Sequence, residues 1–271
     1  MIVDGIRVAA NSYYQIGRRL FVFGQLLLLF SAPILVYSEA ETPPKSKTLI
    51  VLDPGHGGMD SGTASRTGLK EKVVVLDIAK RLKRILSERY HHPVRLTRNS
   101  DVQRALPERT SFANGKRAAL FVSLHVNSSG TGTVRGFEAY YLDTSGDRAA
   151  MRLAEAENRA NGHGGDGTSI DDIQFILSDL VQSSKMHDSI VLAHAIEEQV
   201  ISSLKGRWSG VRSLGVKKAP FYVLMGARMP CVLLEMFFAD NAEDARFLGQ
   251  ESFREDIARA IGKGIDKFLG D

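Results

Sequence analysis

The chain has 271 residues, 44% of them hydrophobic and 24% charged, which suits one globular domain plus an additional segment. Its net charge is +4, but Lys and Arg are scattered with no dense basic stripe, which argues against a nucleic-acid partner. The single cysteine, Cys231, rules out an intrachain disulfide, and its apolar neighbours mark it as a small buried hydrophobe.

The additional segment is N-terminal. Arg18 and Arg19 precede an apolar run over 20–37, and Ser38-Glu39-Ala40 places small residues where an export signal is cleaved. Residues 17–22 are also similar to a twin-arginine signal, with Gly17 where Ser or Thr is usual. Residues 1–40 are therefore expected to be a cleaved signal and 41–47, polar and Pro-containing, a linker. The alternative is an uncleaved anchor, since ~18 apolar residues just span a bilayer. In either case the remainder works outside the cytosol, and cleavage would leave a mature form with no membrane segment.

Residues 49–52 (Leu-Ile-Val-Leu) form a continuous apolar run, the pattern of a strand buried on both faces. Asp53-Pro54-Gly55 stops it and presents His56 at its carboxyl end, where α/β sheets bind ligands. Val74, Ile78, Leu82, Ile85 and Leu86 recur at helical spacing within 70–90. A short strand is expected over 93–98, a helix over 107–116, and a second apolar strand over 118–125 that ends on His125. Residues 134–142 alternate and read as a sheet-edge strand. The next stretch, 147–204, carries no strand signal: a helix over 149–159, a glycine-rich break over 161–167, and helical patterns over 170–182 and 186–204. After a polar loop, 231–238 is a third buried-type strand carrying Glu235, and 253–269 closes the chain as an amphipathic helix. Strands alternating with helices predict an α/β fold: a mixed, largely parallel sheet sandwiched by helices, spanning 48–271 with a helical insertion at 147–204.

Three strands thus end on, or carry, a chemically active side chain: His56, His125 and Glu235. Two imidazoles and a carboxylate are a common ligand set for catalytic zinc, with a further carboxylate as general base. Glu235 inside Val-Leu-Leu-Glu-Met-Phe-Phe is costly to bury without compensation, either by a nearby metal centre or by a salt bridge to an arginine. Glu71 opens the first helix, where spacing alone explains it as a first-turn carboxylate favoured by the helix dipole. His187 and His194 share a helix face but are ~10 Å apart along the axis, too far for one zinc. There is no G-x-S-x-G elbow to support a serine hydrolase.

Asp53-Pro-Gly-His-Gly-Gly58, Glu71-Lys72, Leu96-Thr-Arg98 with Asp101, Arg109, Ala113-Asn114, Phe121-Val-Ser-Leu-His-Val-Asn127 and Val232-Leu-Leu-Glu235 occur in this order. Together they resemble the zinc-dependent N-acetylmuramoyl-L-alanine amidases of the type 3 family, over about 48–269. The resemblance implies a zinc-hydrolase-like fold and one Zn2+ per chain held by His56, Glu71 and His125, with Glu235 as the catalytic carboxylate. It implies cleavage of the amide between N-acetylmuramic acid and L-alanine of peptidoglycan, in cell-wall remodelling or daughter-cell separation, in the periplasm or cell envelope. One departure is Met236-Phe-Phe-Ala-Asp240, where the family usually has a small residue and then Phe-hydrophobe-Ser/Thr-Asn. The alternatives are a catalytically silent wall-binding or regulatory module on the same fold, and a zinc exopeptidase for free peptides.

The insertion is longer than a connection needs. It reads either as a rigid layer on the sheet or, as in some amidases of this type, as a lid over the zinc site that a partner protein displaces. The hinge would lie at Gly162, Gly164 and Gly165, and Ile170, Ile173, Phe175, Ile176 and Leu180 would offer an apolar face to an activator. Any of Glu155, Glu157, Asp166, Asp171, Asp172 and Asp179 could cap the metal's open position.

Overall fold

The computed structural model describes residues 48–160 and 183–270. The expected signal and linker, and the proposed hinge and grip residues Gly162, Gly164, Gly165, Ile170, Ile173, Phe175, Ile176 and Leu180, lie outside the described residues. Among the described residues no helix is long and apolar enough to cross a membrane.

The apolar runs form the expected strands: β1 (Ile50–Pro54), β3 (Leu120–Asn127) and β6 (Cys231–Phe238), every residue of each buried. Helix α1 (Glu71–Glu88) follows β1, β2 (Val94–Leu96) is short, and α2 (Leu106–Gly115) precedes β3. Then come β4 (Phe137–Leu142), α3 (Arg148–Ala160), α4 (Ser183–Leu204) and β5 (Ser213–Ala219). A 3-10 turn (Tyr222–Leu224) leads to β6, and α5 (Ala242–Leu248) and α6 (Glu251–Gly270) finish the described chain. The strand order is β2-β1-β3-β6-β4-β5. All neighbours are parallel except β4 and β6, so the sheet is mixed and largely parallel as expected.

Two sequence readings are corrected. β4 is not an edge strand; it lies between β6 and β5. Its alternation reflects not solvent but a buried polar residue, Glu138, on one face of the sheet. The edge on that side is β5, which lies in the stretch read as a polar loop. Its Lys217 and Lys218 hide the strand pattern: Lys217 pairs with buried Glu138, and Lys218 pairs with Asp143 at the surface. The short helix α5 was also missed; its signal is Asn241, whose side chain accepts from the N–H groups of Glu243 and Asp244.

Period-two alternation divides the sheet residues between two cores. Ile50, Leu52, Val122, Leu124, Val232 and Leu234 face α1, α4 and α6. Val51, Phe121, Leu233 and Tyr140 face α2, α3 and the Phe221–Leu224 segment. On this second face the same register continues, towards the carboxyl ends of β1, β3 and β6, into Asp53, Ser123, His125 and Glu235. The parity of three neighbouring strands therefore sets a polar stripe across one face.

Two contacts hold this frame. Gly264 of α6 sits against α4 so closely that a Cβ there would lie 2.6 Å from the Ile196 Cα. Asp53, fully buried at the end of β1, accepts from Ser123 Oγ (2.9 Å), from Thr97 Oγ1 and from Arg109 Nη1 (2.9 Å) of α2. Burial alone would raise its pKa, but the Arg109 charge and these hydrogen bonds outweigh burial and hold it below the usual carboxylate range.

Gly264→Ala is expected to separate α4 and α6 and to lower stability by ~1–3 kcal/mol in chemical denaturation, with unchanged secondary structure by circular dichroism. Asp53→Asn leaves Arg109 buried and unpaired and is expected to cost ~3–5 kcal/mol. Because the folded pKa of Asp53 is depressed, its contribution is present above its unfolded pKa of ~4 and is lost as pH falls below that. The variant's stability should therefore fall less steeply than the wild type's under acid.

Candidate metal centre

His56 follows β1 in a left-handed conformation (φ 57°), unusual for a residue with a side chain. Two arginines hold that turn. Arg98 donates to Pro54 O (2.9 Å) and Gly55 O (2.7 Å), and Arg109 donates to Pro54 O (2.9 Å) and His56 O (3.1 Å). All three carbonyls leading to the histidine are thus fixed by charge-assisted bonds. Gly55 leaves room for the His125 ring, which a Cβ there would overlap. Gly62 (φ 62°) gives room in the same way to Glu71 and His56.

The His56 ring is oriented by Asp60, whose Oδ2 lies 2.8 Å from Nδ1 and whose Oδ1 accepts from the Gly62 N–H (3.0 Å). That leaves Nε2 pointing at Glu71 Oε1, 3.0 Å away. A carboxylate behind a ligating histidine fixes its tautomer in metal sites. Glu71, buried at the first position of α1, has its two oxygens placed by the N–H groups of Val126 and Thr63, each at 2.9 Å. His125 brings Nδ1 to 3.2 Å from the same Glu71 oxygen. It stands two residues before the end of β3, not on the final residue, because the strand runs on to Asn127.

The ligand-type atoms of His56, Glu71 and His125 lie within 4.8 Å of one another, and so do those of His125, Glu157 and Glu235. Neither His56 Nε2 nor His125 Nδ1 has an aligned hydrogen-bond partner among the described residues, and neither do the two oxygens of fully buried Glu235. Among the described residues no arginine pairs with Glu235, so none of them supplies the salt bridge considered as an explanation of its burial. Its neighbours are acidic: burial first, then Glu157, Glu71 and Glu138, push its pKa well above the usual carboxylate range.

The remaining electrostatics share one direction. Burial lowers the proton affinity of both rings, but Glu71 and Asp60 push His56 up to about 10, and Glu157 and Glu71 push His125 up to about 10. Glu71 is held far below its usual range by the two imidazoles, against the effect of burial. The pocket therefore attracts positive charge, and two imidazole nitrogens with one carboxylate oxygen fit a zinc ion.

Glu157 comes from α3, inside the predicted insertion. Its Oε2 lies 3.2 Å from His125 Nδ1 and 3.5 Å from His56 Nε2. Of the six acids considered from sequence, Glu157 is the one that reaches the site among the described residues. Asp60 and the arginine clamp carried no sequence signal of their own role; a carboxylate four residues beyond a histidine in a glycine-rich loop is the only hint. His187 and His194 are exposed on α4 and take no part.

A family model described as N-acetylmuramoyl-L-alanine amidase matches residues 50–267. N-acetylmuramoyl-L-alanine amidase AmiA of Escherichia coli K12 is 36% identical over 245 residues, covering 87% of this chain and 83% of its own. AmiC of Neisseria meningitidis is also 36% identical, over 82% of this chain, which spans only 53% of that longer protein. Among solved structures, AmiC2 of Nostoc punctiforme superposes with a TM-score of 0.62 at 30% identity, covering 84% of this chain and all of its own. CwlD of Clostridioides difficile, solved in complex with the GerS lipoprotein, gives 0.60 at 25% identity over 82% and 98%. With its matched model spanning nearly all of the described sheet and every residue of the pocket, this chain belongs to the N-acetylmuramoyl-L-alanine amidase family.

Proposed function

We propose that this chain is an exported, zinc-dependent peptidoglycan hydrolase that cuts the amide between N-acetylmuramic acid and the L-alanine of the stem peptide, and that the described conformation is a covered one. The observation that carries the catalytic part is the convergence of His56 Nε2, Glu71 Oε1 and His125 Nδ1 beside an uncompensated, buried Glu235 on the fold of this family. His56, Glu71 and His125 would hold one zinc. When bound, zinc supplies Lewis acidity to the scissile carbonyl and acidifies water. Glu235 takes the proton that the attacking water loses and returns it to the alanine nitrogen as the C–N bond breaks. Asp60, Arg98 and Arg109 keep His56 aimed while this happens.

Glu157 supports the covered state. Its carboxylate lies against both histidines, in the space that the substrate carbonyl needs, so α3 has to move before substrate enters. A protein partner that grips the 147–204 insertion would supply that movement, and the CwlD complex with a lipoprotein is a precedent in a structural neighbour. The apolar N-terminal run, followed by small residues, supports export to the cell envelope.

His125→Ala is expected to lose both zinc, measured by atomic absorption, and turnover of purified sacculi, measured by mass spectrometry of released peptides. Glu235→Gln should keep stoichiometric zinc and lose about 10²-fold or more in rate. Full zinc in His125→Ala, or near wild-type rates in Glu235→Gln, would overturn the respective assignment.

Glu157→Ala should keep zinc and digest sacculi about tenfold faster than the parent, the factor set by one charge-assisted contact worth ~1.5 kcal/mol. An unchanged rate would make α3 a fixed layer.

A further inference from the structure

Helix α3 sends one side chain, Glu157, to the metal pocket and the next to the segment after β5. Beside Glu157, Asn158 docks its carboxamide on the segment after β5: Nδ2 donates to Pro220 O (2.9 Å) and Oδ1 accepts from Tyr222 N–H (2.8 Å). These two main-chain groups flank Phe221, whose own N–H is taken by Ala219 O (3.0 Å). The carbonyl of residue i−1 and the N–H of residue i+1 are the pair that one residue of a parallel neighbouring strand uses. A primary carboxamide carries the same donor and acceptor as a peptide unit. Asn158 therefore imitates one residue of an extended peptide laid along residues 220–222, just beyond the edge strand of the sheet.

We infer that Pro220 O and Tyr222 N–H form a main-chain docking site for the stem peptide of the substrate, and that Asn158 occupies it while Glu157 occupies the metal pocket. Two adjacent residues of α3, Cα atoms ~3.8 Å apart, fill the two places. The docking pair then lies within roughly two or three residues of the scissile bond along an extended peptide. Recognition through main-chain groups is strand addition, which reads the peptide backbone and leaves the stem side chains free to vary. The inference rests on the covering role of α3 and on the amidase activity proposed above.

The test uses the full chain with Glu157→Ala and Asn158→Ala, which frees both places, and Glu235→Gln, which stops turnover. Tyr222 is then changed to Pro or to Ala. Tyr222 opens a 3-10 turn, so its N–H has no partner within that turn, and Phe221 (φ −73°, ψ 117°) already has the extended backbone that precedes proline. Proline removes the donor and the ring, whereas alanine removes only the ring. With N-acetylmuramoyl-tetrapeptide as probe in titration calorimetry of the zinc-loaded protein, Tyr222→Pro should bind about three- to tenfold more weakly than Tyr222→Ala. In the parent without a change at 222, the probe should slow hydrogen exchange of the Tyr222 amide, which keeps the test open if the proline variant does not fold. Equal affinities, no binding by either variant, or no protection of that amide would overturn the docking site. Turnover is measured in parallel on chains that retain Glu235. A docking difference without hydrolysis overturns the amidase activity alone, and a double variant no faster than wild type overturns the covering role alone.

Discussion

Three buried or nearly buried carboxylates, from Glu71, Glu157 and Glu235, share one pocket with two imidazoles. Like charges at such separations cannot coexist in a low-dielectric interior without compensating positive charge. Protons on His56 and His125 would supply it in part, and a bound metal cation would supply it without the protons. The same demand explains the surroundings. Two peptide N–H groups place Glu71 beside the imidazoles, and both arginines of the region donate to the carbonyls of the 54–56 turn, Arg109 pairing also with Asp53. The positive charge of the protein backs the loop while the pocket itself is left acidic.

That arrangement depends on sheet parity. Asp53, Ser123, His125 and Glu235 occupy the same face as Val51, Phe121 and Leu233, two residues further along their strands or, for His125, four. A shift of one residue in any strand would send its functional group into the core built by α1, α4 and α6. Glu138 extends the stripe onto β4, where Asn127, Tyr140 and Lys217 satisfy it. Glu235, its opposite number in register, has no such partners among the described residues.

Helix α3 covers this stripe with few apolar contacts. Ala150 and Ala154 are its buried hydrophobic residues, whereas α4 buries Leu192, Ala193, Ile196, Val200, Ile201 and Leu204. Much of its attachment is polar: the Asn158 bridge to residues 220 and 222, and Glu157 against the histidines. An element held by hydrogen bonds, two methyl groups and the partly buried Leu153 opens at lower cost than one held by a larger core, which suits a removable cover. At the opposite rim, the departure after Glu235 has a physical reason. Asp240 only accepts, from Ser129 N–H, Ser129 Oγ and Gly132 N–H, so a carboxylate serves there without a donor of its own.

The alternating apolar runs, the turn at Asp53-Pro54-Gly55 and the helical spacing after Glu71 determined by themselves the layers of the fold and the three elements that carry His56, His125 and Glu235, because strand and helix periods are local properties. Local pattern did not decide that Glu71 faces the histidines and not solvent: a first-turn carboxylate looks the same in either place, and its direction comes from how α1 lies against β3. It did not reveal β5, whose lysines look solvated until Glu138 is found beneath them. Nor did it separate Glu157 from the other acids of the insertion. That distinction exists only once α3 is packed against residues 220–222, which brings together groups more than sixty positions apart, a separation that no local period encodes.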